Sequence, residues 1–136
     1  MLKAARSGSP NRVIAVFQPH RYSRTRDLLV EFGTVLADAD VTVLTDIYPA
    51  GEVPIPGILS AAIADEIRRQ NRGAVEAVVP LEDLAGHVAS LAKGGDVILT
   101  LGAGSIGNVG DQILHELRRT WNSGTLNLEP STGAAR

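Results

Sequence analysis

Three short segments hold most of the side chains in this sequence that are equipped for chemistry. The first is Gln18-Pro19-His20-Arg21-Tyr22-Ser23-Arg24-Thr25-Arg26, in which three guanidinium groups and an imidazole lie close together. Arginine takes a carboxylate or phosphate through two parallel hydrogen bonds. Arg21 and Arg24, three positions apart, would converge on one anion if the turn is helical, with His20 donating to the same ligand. Two plainer readings stay open: the arginines are solvated or pair with Asp27 and Glu31, and His20 merely closes a strand. The spacing predicts a helix beginning near Arg26, capped by Ser23 or Thr25. Arg21, Arg24 and Arg26 would then crowd its positive end, which the helix dipole disfavours unless an anion sits among them.

The second segment is Asp46-Ile47-Tyr48-Pro49-Ala50-Gly51-Glu52. Its carboxylates could position an ammonium or a metal-bound water, with Tyr48 beside them. Equally, Asp46 and Glu52 could balance the arginines while Gly51 turns the chain. The third segment, Gly102-Ala103-Gly104-Ser105-Ile106-Gly107, has the pattern G-x-G-x-x-G, whose amides can face a phosphate where a helix begins. A dinucleotide fingerprint belongs to a first strand–helix unit and expects an acidic residue about 20 positions on. This one follows the last strand, which argues against NAD and leaves Gly102 and Gly104 as candidates for a phosphate- or cleft-lining loop. Gly107 and Gly110 are candidates for close helix contact.

These segments need elements to hold them. Val13–Phe17, Val41–Thr45, Val75–Val79 and Val97–Leu101 are short apolar runs rich in Val and Ile that mostly do not alternate, as strands buried on both faces read. Between them run stripes of helical period: Leu28, Leu29, Phe32, Val35 and Leu36; then Leu59, Ile63 and Ile67; then Leu81, Leu84, Ala85, Val88, Leu91 and Ala92; then Ile106, Val109, Ile113 and Leu117. Strand–helix alternation repeated in this way predicts a single α/β domain, a Rossmann-like, doubly wound, mostly parallel sheet. Ligands of such sheets bind beyond the carboxyl ends of the strands. All three polar segments would lie along that rim, while the third strand ends plainly in Pro80-Leu81-Glu82.

Composition sets limits. The 136 residues suit one domain with its own core. With no cysteine there is no disulfide scaffold, no Cys-ligated metal and no thiol nucleophile. Thirteen Lys+Arg against fifteen Asp+Glu leave a net charge of −2, so no global basic field recruits nucleic acid. No run of about 18 apolar residues would span a membrane, and the expected location is cytoplasmic. There is no G-x-x-x-x-G-K-[ST] loop, no G-x-S-x-G elbow and no histidine cluster, so no catalytic residue and no metal ligand is assigned. His87 and His115 are expected to be solvated. Ser7–Asn11 reads as a turn, residues 121–136 as a flexible tail, and Leu2–Arg6 as the last turn of a helix.

Phe17-Gln18-Pro19-His20-Arg21-Tyr22-Ser23-Arg24-Thr25-Arg26-Asp27-Leu28, Asp46-Ile47-Tyr48-Pro49-Ala50-Gly51-Glu52 and Leu101-Gly102-Ala103-Gly104 together resemble the C-terminal domain of the UDP-N-acetylmuramate–L-alanine ligases of the Mur ligase family. The likeness runs from about Leu2 to Leu117. It departs at Ser105, where the family usually has Asp or Asn. The resemblance implies an ATP-dependent amide-bond ligase of peptidoglycan synthesis: ATP phosphorylates the UDP-N-acetylmuramate carboxylate, and the amine of L-alanine attacks the acyl phosphate. It implies that residues 1–120 are a C-terminal domain lacking the family domain's first strand. That domain would close over a central ATP- and magnesium-binding domain and help hold the amino acid. Arg21 and Arg24, assisted by His20, would take the L-alanine carboxylate or the muramyl carboxyl end, and Asp46, Tyr48 and Glu52 would line the cleft. The principal ATP and magnesium ligands would lie upstream of Met1, so the isolated chain is expected to bind no cofactor and to be inactive. The competing reading is a free-standing, non-catalytic anion- or nucleotide-binding module.

Overall fold

All four apolar runs are strands, and every pairing between them is parallel. The computed structural model describes residues 11–102 and 104–122. In chain order they form β1 (Val13–Gln18), α1 (Tyr22–Asp27), α2 (Leu29–Leu36), β2 (Val41–Thr45), α3 (Ser60–Arg69), β3 (Ala74–Val79), α4 (Leu81–Leu91), β4 (Val97–Gly102), a 3₁₀ turn (Gly104–Asn108) and α5 (Val109–Asn122). The strand order is β3-β2-β1-β4. Most of the expected turn Ser7–Asn11, the expected helix end Leu2–Arg6 and all of the expected tail except α5's last two residues lie outside the described residues.

In β1 and β2 the absence of strict alternation has a direct cause, since every residue is buried and both faces are covered. β3 and β4, expected to be buried likewise, stand at the edges of the sheet and are half-buried to exposed. From β1, Val13, Ala15 and Phe17 pack with Leu36, Leu44, Ile63 and Ile67, beneath α2 and α3. Ile14 and Val16 point the other way, into a layer with Val43, Leu84, Val88, Ile106, Val109, Ile113 and Leu117, beneath α4 and α5. The architecture is the Rossmann-like α/β sandwich that the alternation predicts. The amino end of the sheet is closed by polar groups: Asp40 accepts from the Val13 N–H at 2.7 Å, and Arg12 bonds Asp96 at 2.6 Å and the Leu91 carbonyl at 3.0 Å.

The first helical stripe is not one helix. The chain breaks at Leu28 (φ −111°, ψ 19°), giving α1 and then α2. Val35, expected on the apolar stripe, is 53% exposed. Gly33 takes the inward position instead, because α3 crosses so closely that a Cβ there would lie 2.4 Å from the Glu66 Cβ. A helical Gly→Ala change ordinarily gains up to about 1 kcal/mol, but here overlap decides the sign. Gly33→Ala is expected to destabilise the fold by about 1–3 kcal/mol. Thr45, fully buried at the end of β2, has a hydroxyl without a hydrogen-bond partner among the described residues. Thr45→Val keeps its shape and removes that group, and is expected to stabilise by about 1 kcal/mol. Urea unfolding of both variants checks the two signs.

Candidate functional site

β1 sits between β2 and β4, and the chain leaves β1 and β4 toward opposite faces of the sheet. That is the switch point at which doubly wound sheets bind ligands. The loops after β1, β2 and β4 are therefore neighbours, and the plain end of β3 lies at the far edge.

The loops join by specific contacts. Past the strands, His20 and Tyr48 form a parallel bridge. The Arg21 N–H donates to the Tyr48 carbonyl at 2.8 Å, and the Tyr48 N–H donates to the Pro19 carbonyl at 2.8 Å. The His20 and Tyr48 rings stack with centroids 5.6 Å apart and planes 19° from parallel. Gly104 lies against the same tyrosine: a Cβ built there would come within 2.9 Å of the ring. With φ at +83°, the position is closed to other residues on two counts. Gln18, at the end of β1, accepts hydrogen bonds through Oε1 from the Ile106 N–H at 3.0 Å and from the Ser105 hydroxyl at 3.2 Å. Of the predicted site residues, His20, Arg21, Tyr48, Gly102 and Gly104 thus meet at one rim. Asp46 is exposed and makes no side-chain hydrogen bond or ion pair with other described residues.

The arginine segment departs from expectation in its local electrostatics. The helix begins at Tyr22, not near Arg26, and neither Ser23 nor Thr25 caps it. Arg21 is the residue before it and offers no side-chain cap. Glu52 supplies one from the neighbouring loop, accepting from the Ser23 N–H at 3.0 Å and from the Ser23 hydroxyl at 2.5 Å. These bonds hold the Glu52 carboxyl below its ordinary value, the Ser23 hydroxyl having the largest effect and the Ser23 and Tyr22 N–H groups and the charge of Arg21 adding to it. The positive end of α1 already faces a carboxylate from within the protein. Arg24 and Arg26 lie in the last turn of this six-residue helix, where the dipole favours cations. The crowding expected of three arginines therefore reduces to Arg21 alone.

Arg26 pairs with Asp27 on the surface at 2.9 Å. Neither Arg21 nor Arg24 has an ion pair among the described residues. Both line an open depression of about 570 Å³ with His20, Ser23, Asp27 and Leu28. The Arg21 backbone is strained, at φ 70° and ψ 143°, a region that costs a non-glycine residue about 1–3 kcal/mol. It is held from both sides. Its N–H reaches Tyr48, and its carbonyl accepts from the Thr25 N–H at 3.2 Å and the Thr25 hydroxyl at 2.8 Å.

Three contributors were not assigned from sequence: Gln18, Ser23 as the partner of Glu52, and fully buried Thr25 as the support of Arg21. For Gln18 a signal existed, since it is a polar residue closing an apolar strand. Two further expectations fail. His87 is not simply solvated, because its Nε2 is shut away from solvent without a hydrogen-bond partner among the described residues, beside the α4–α5 groove. Gly107 and Gly110 do not serve tight helix contact, as among the described residues a Cβ at Gly107 meets nothing within 4 Å and one at Gly110 only Thr100 at 3.8 Å. The described residues include no group of three or more His, Cys, Asp or Glu side chains that could hold a metal ion, and the Ile106 amide of the glycine turn donates to Gln18. No described helix is long and apolar enough to cross a membrane.

Comparison with known proteins follows the same segments. A family model described as the Mur ligase, glutamate ligase domain matches residues 1–104. Proteins named UDP-N-acetylmuramate–L-alanine ligase are similar over most of the chain. The one from Geotalea daltonii is 45% identical over 117 residues, covering 86% of this chain. That from Geobacter sulfurreducens is 49% identical over 117 residues, covering 85%. That from Anaeromyxobacter dehalogenans is 48% identical over 118 residues, covering 87%. The chain spans about a quarter of the length of these relatives (26%, 25% and 26%).

The Glu52 clasp has a pH signature. A carboxyl held lower in the folded state than in the unfolded chain contributes stability that is complete above its ordinary value of 4.5. The contribution is lost as the pH falls through the lower folded value. Below about pH 5, Glu52→Gln is therefore expected to flatten the acid limb of stability. At pH 7 it should speed amide exchange at Tyr22 and Ser23. Thermal unfolding against pH and hydrogen exchange check both, and an unchanged acid limb would rule out the clasp.

Proposed function

The chain belongs to the Mur ligase family, through its glutamate ligase domain, and from that premise we propose that it is the C-terminal, amino-acid-binding and cleft-closing domain of an ATP-dependent ligase. The complete enzyme would join L-alanine to UDP-N-acetylmuramate in peptidoglycan synthesis, with residues 1–120 forming this domain. The name shared by its relatives supports that substrate pair. The observation that carries the role of the domain is the placement of Arg21 and Arg24. Both line one depression formed by the segment that follows β1, without an ion pair among the described residues, and Arg21 is held in a strained backbone from two sides. Guanidinium groups left unpaired next to one another suit a carboxylate. Asp27 also lines the depression, its carboxylate paired with Arg26.

The proposed roles divide along the rim. Arg21 and Arg24 take the carboxylate of L-alanine or the muramyl carboxyl end, and His20 assists them from its stack on Tyr48. Tyr48, Asp46 and the glycine turn at Gly102 and Gly104 face the cleft that closes on the central domain. Glu52 shapes that wall by fixing α1. The principal ligands for ATP and magnesium belong to upstream domains, which with L-alanine and UDP-N-acetylmuramate are the partners of this one. Among the described residues the edge of β4 away from β1 has no partner strand, and its side chains are largely half-buried.

In a complete ligase, Arg21→Ala and Arg24→Ala are each expected to raise the KM for L-alanine by about 10–100-fold, the worth of a lost charge-assisted hydrogen bond. The KM for ATP should stay within about threefold. Steady-state kinetics with each substrate varied in turn measures this, and unchanged KM and kcat for L-alanine would defeat the assignment. The isolated chain is expected to release no phosphate from ATP with both other substrates present. Tight binding of ADP by this chain alone, measured by calorimetry, would favour a free-standing nucleotide-binding module instead.

A further inference from the structure

We propose that Gln18 is a positioning residue, whose side-chain carbonyl holds the glycine turn in register with Arg21 and Arg24. The inference rests on the reading that those arginines bind the carboxylate of the amino acid. Gln18 is the last residue of β1 and lies opposite Gly102 in the ladder. It is 4% exposed, after five buried apolar residues. A buried amide is tolerated only where its polar atoms are satisfied. Here one oxygen takes two donors from across the fold, the Ile106 N–H and the Ser105 hydroxyl. A backbone N–H can only donate, so the oxygen of the amide must face the glycine turn and its NH₂ must face away. The main chain of the same residue presses on the turn as well. The Gln18 carbonyl lies 2.5 Å from where a Cβ on Gly102 would be, which admits only glycine there.

The path from this latch to the arginines is short and stiff. Pro19 has its φ fixed by its ring and accepts from the Tyr48 N–H, His20 is bridged to Tyr48, and Arg21 is held by Tyr48 and Thr25. A shift of the glycine turn against β1 therefore moves Tyr48, which Gly104 touches, and with it the Arg21 backbone. Ser105 has a defined part in this chain: its hydroxyl is the second donor to Gln18. An ionised carboxylate at that position could not donate to the same oxygen.

The test uses a complete ligase carrying this domain, with Gln18→Leu, Gln18→Glu and Ser105→Ala, and Val88→Ala as a core variant. Gln18→Leu removes the acceptor and is expected to raise the KM for L-alanine about tenfold, with a smaller fall in kcat. Gln18→Glu keeps an acceptor for both donors and should return the KM to within about threefold of the parent. Val88→Ala lowers the melting temperature through the core and should leave the KM unchanged. If Gln18→Leu fails to fold, Ser105→Ala carries the test, since it removes one donor and should raise the same KM about twofold to threefold. In an Arg21→Ala background the Gln18→Leu effect should largely vanish, as expected of residues acting through one another. A raised KM in Arg21→Ala with no more change in Gln18→Leu than in Val88→Ala would overturn this proposal alone. An unchanged KM in both Arg21→Ala and Arg24→Ala would overturn the carboxylate reading, and this proposal with it.

Discussion

β1 is hydrogen-bonded along both edges, to β2 on one side and β4 on the other, and all six of its residues are buried. Because it is central, the segment that follows it emerges between the segments that follow its neighbours. Gln18-Pro19-His20-Arg21 is therefore flanked by Tyr48 on one side and by the glycine turn on the other. Most contacts at the rim have one partner in or just beyond β1: Gln18 with Ile106, Pro19 and Arg21 with Tyr48, His20 with the Tyr48 ring. A sheet with β1 at an edge would have separated these loops, whatever their sequences.

The electrostatics of the rim follow from one substitution of roles. A short helix with an arginine before it needs an acceptor for its first amides, and Arg21 cannot supply one. Glu52 does so from another loop, which both completes α1 and ties the second segment to the first. Glu52 directs both oxygens to Ser23, and neither Arg21 nor Arg24 has an ion pair among the described residues. The strained backbone at Arg21 is stable for a similar reason. Tyr48 and Thr25 provide three hydrogen bonds to its two peptide groups, enough to offset a cost of about 1–3 kcal/mol.

Much of this was legible before any coordinates. The strands were readable from short runs rich in Val, Ile and Leu, which burial on both faces explains for β1 and β2 but not for the half-exposed edge strands β3 and β4. The last stripe of Ile106, Val109, Ile113 and Leu117 is uniformly buried. The three segments at the rim were readable because polar and glycine residues are unexpected directly after buried strands. The start of α1 was not, since its cap stands in a different loop and local rules look only to Ser23 or Thr25. Val35 misled because period alone does not tell which of two adjacent faces a neighbouring helix will approach, and the close crossing of α3 chose the face of Gly33. The polar Gln18 closing an apolar strand marks a position but not its role, since its two donors lie 87 and 88 residues away.

The loop from Asp46 to Leu59 is fastened unevenly, and this bears on how its length could vary among descendants of the sequence. Its first half is tied at Tyr48 and at Glu52. Beyond Glu52, Val53 and Leu59 stand largely in solvent, 81% and 61% exposed, among two prolines and a glycine at Pro54, Pro56 and Gly57. An insertion after Glu52 would lengthen only an outer excursion, which loops tolerate well. The same insertion between Tyr48 and Glu52 would carry the carboxylate away from Ser23 and uncap α1. Drift in loop length should therefore collect on one side of a single glutamate.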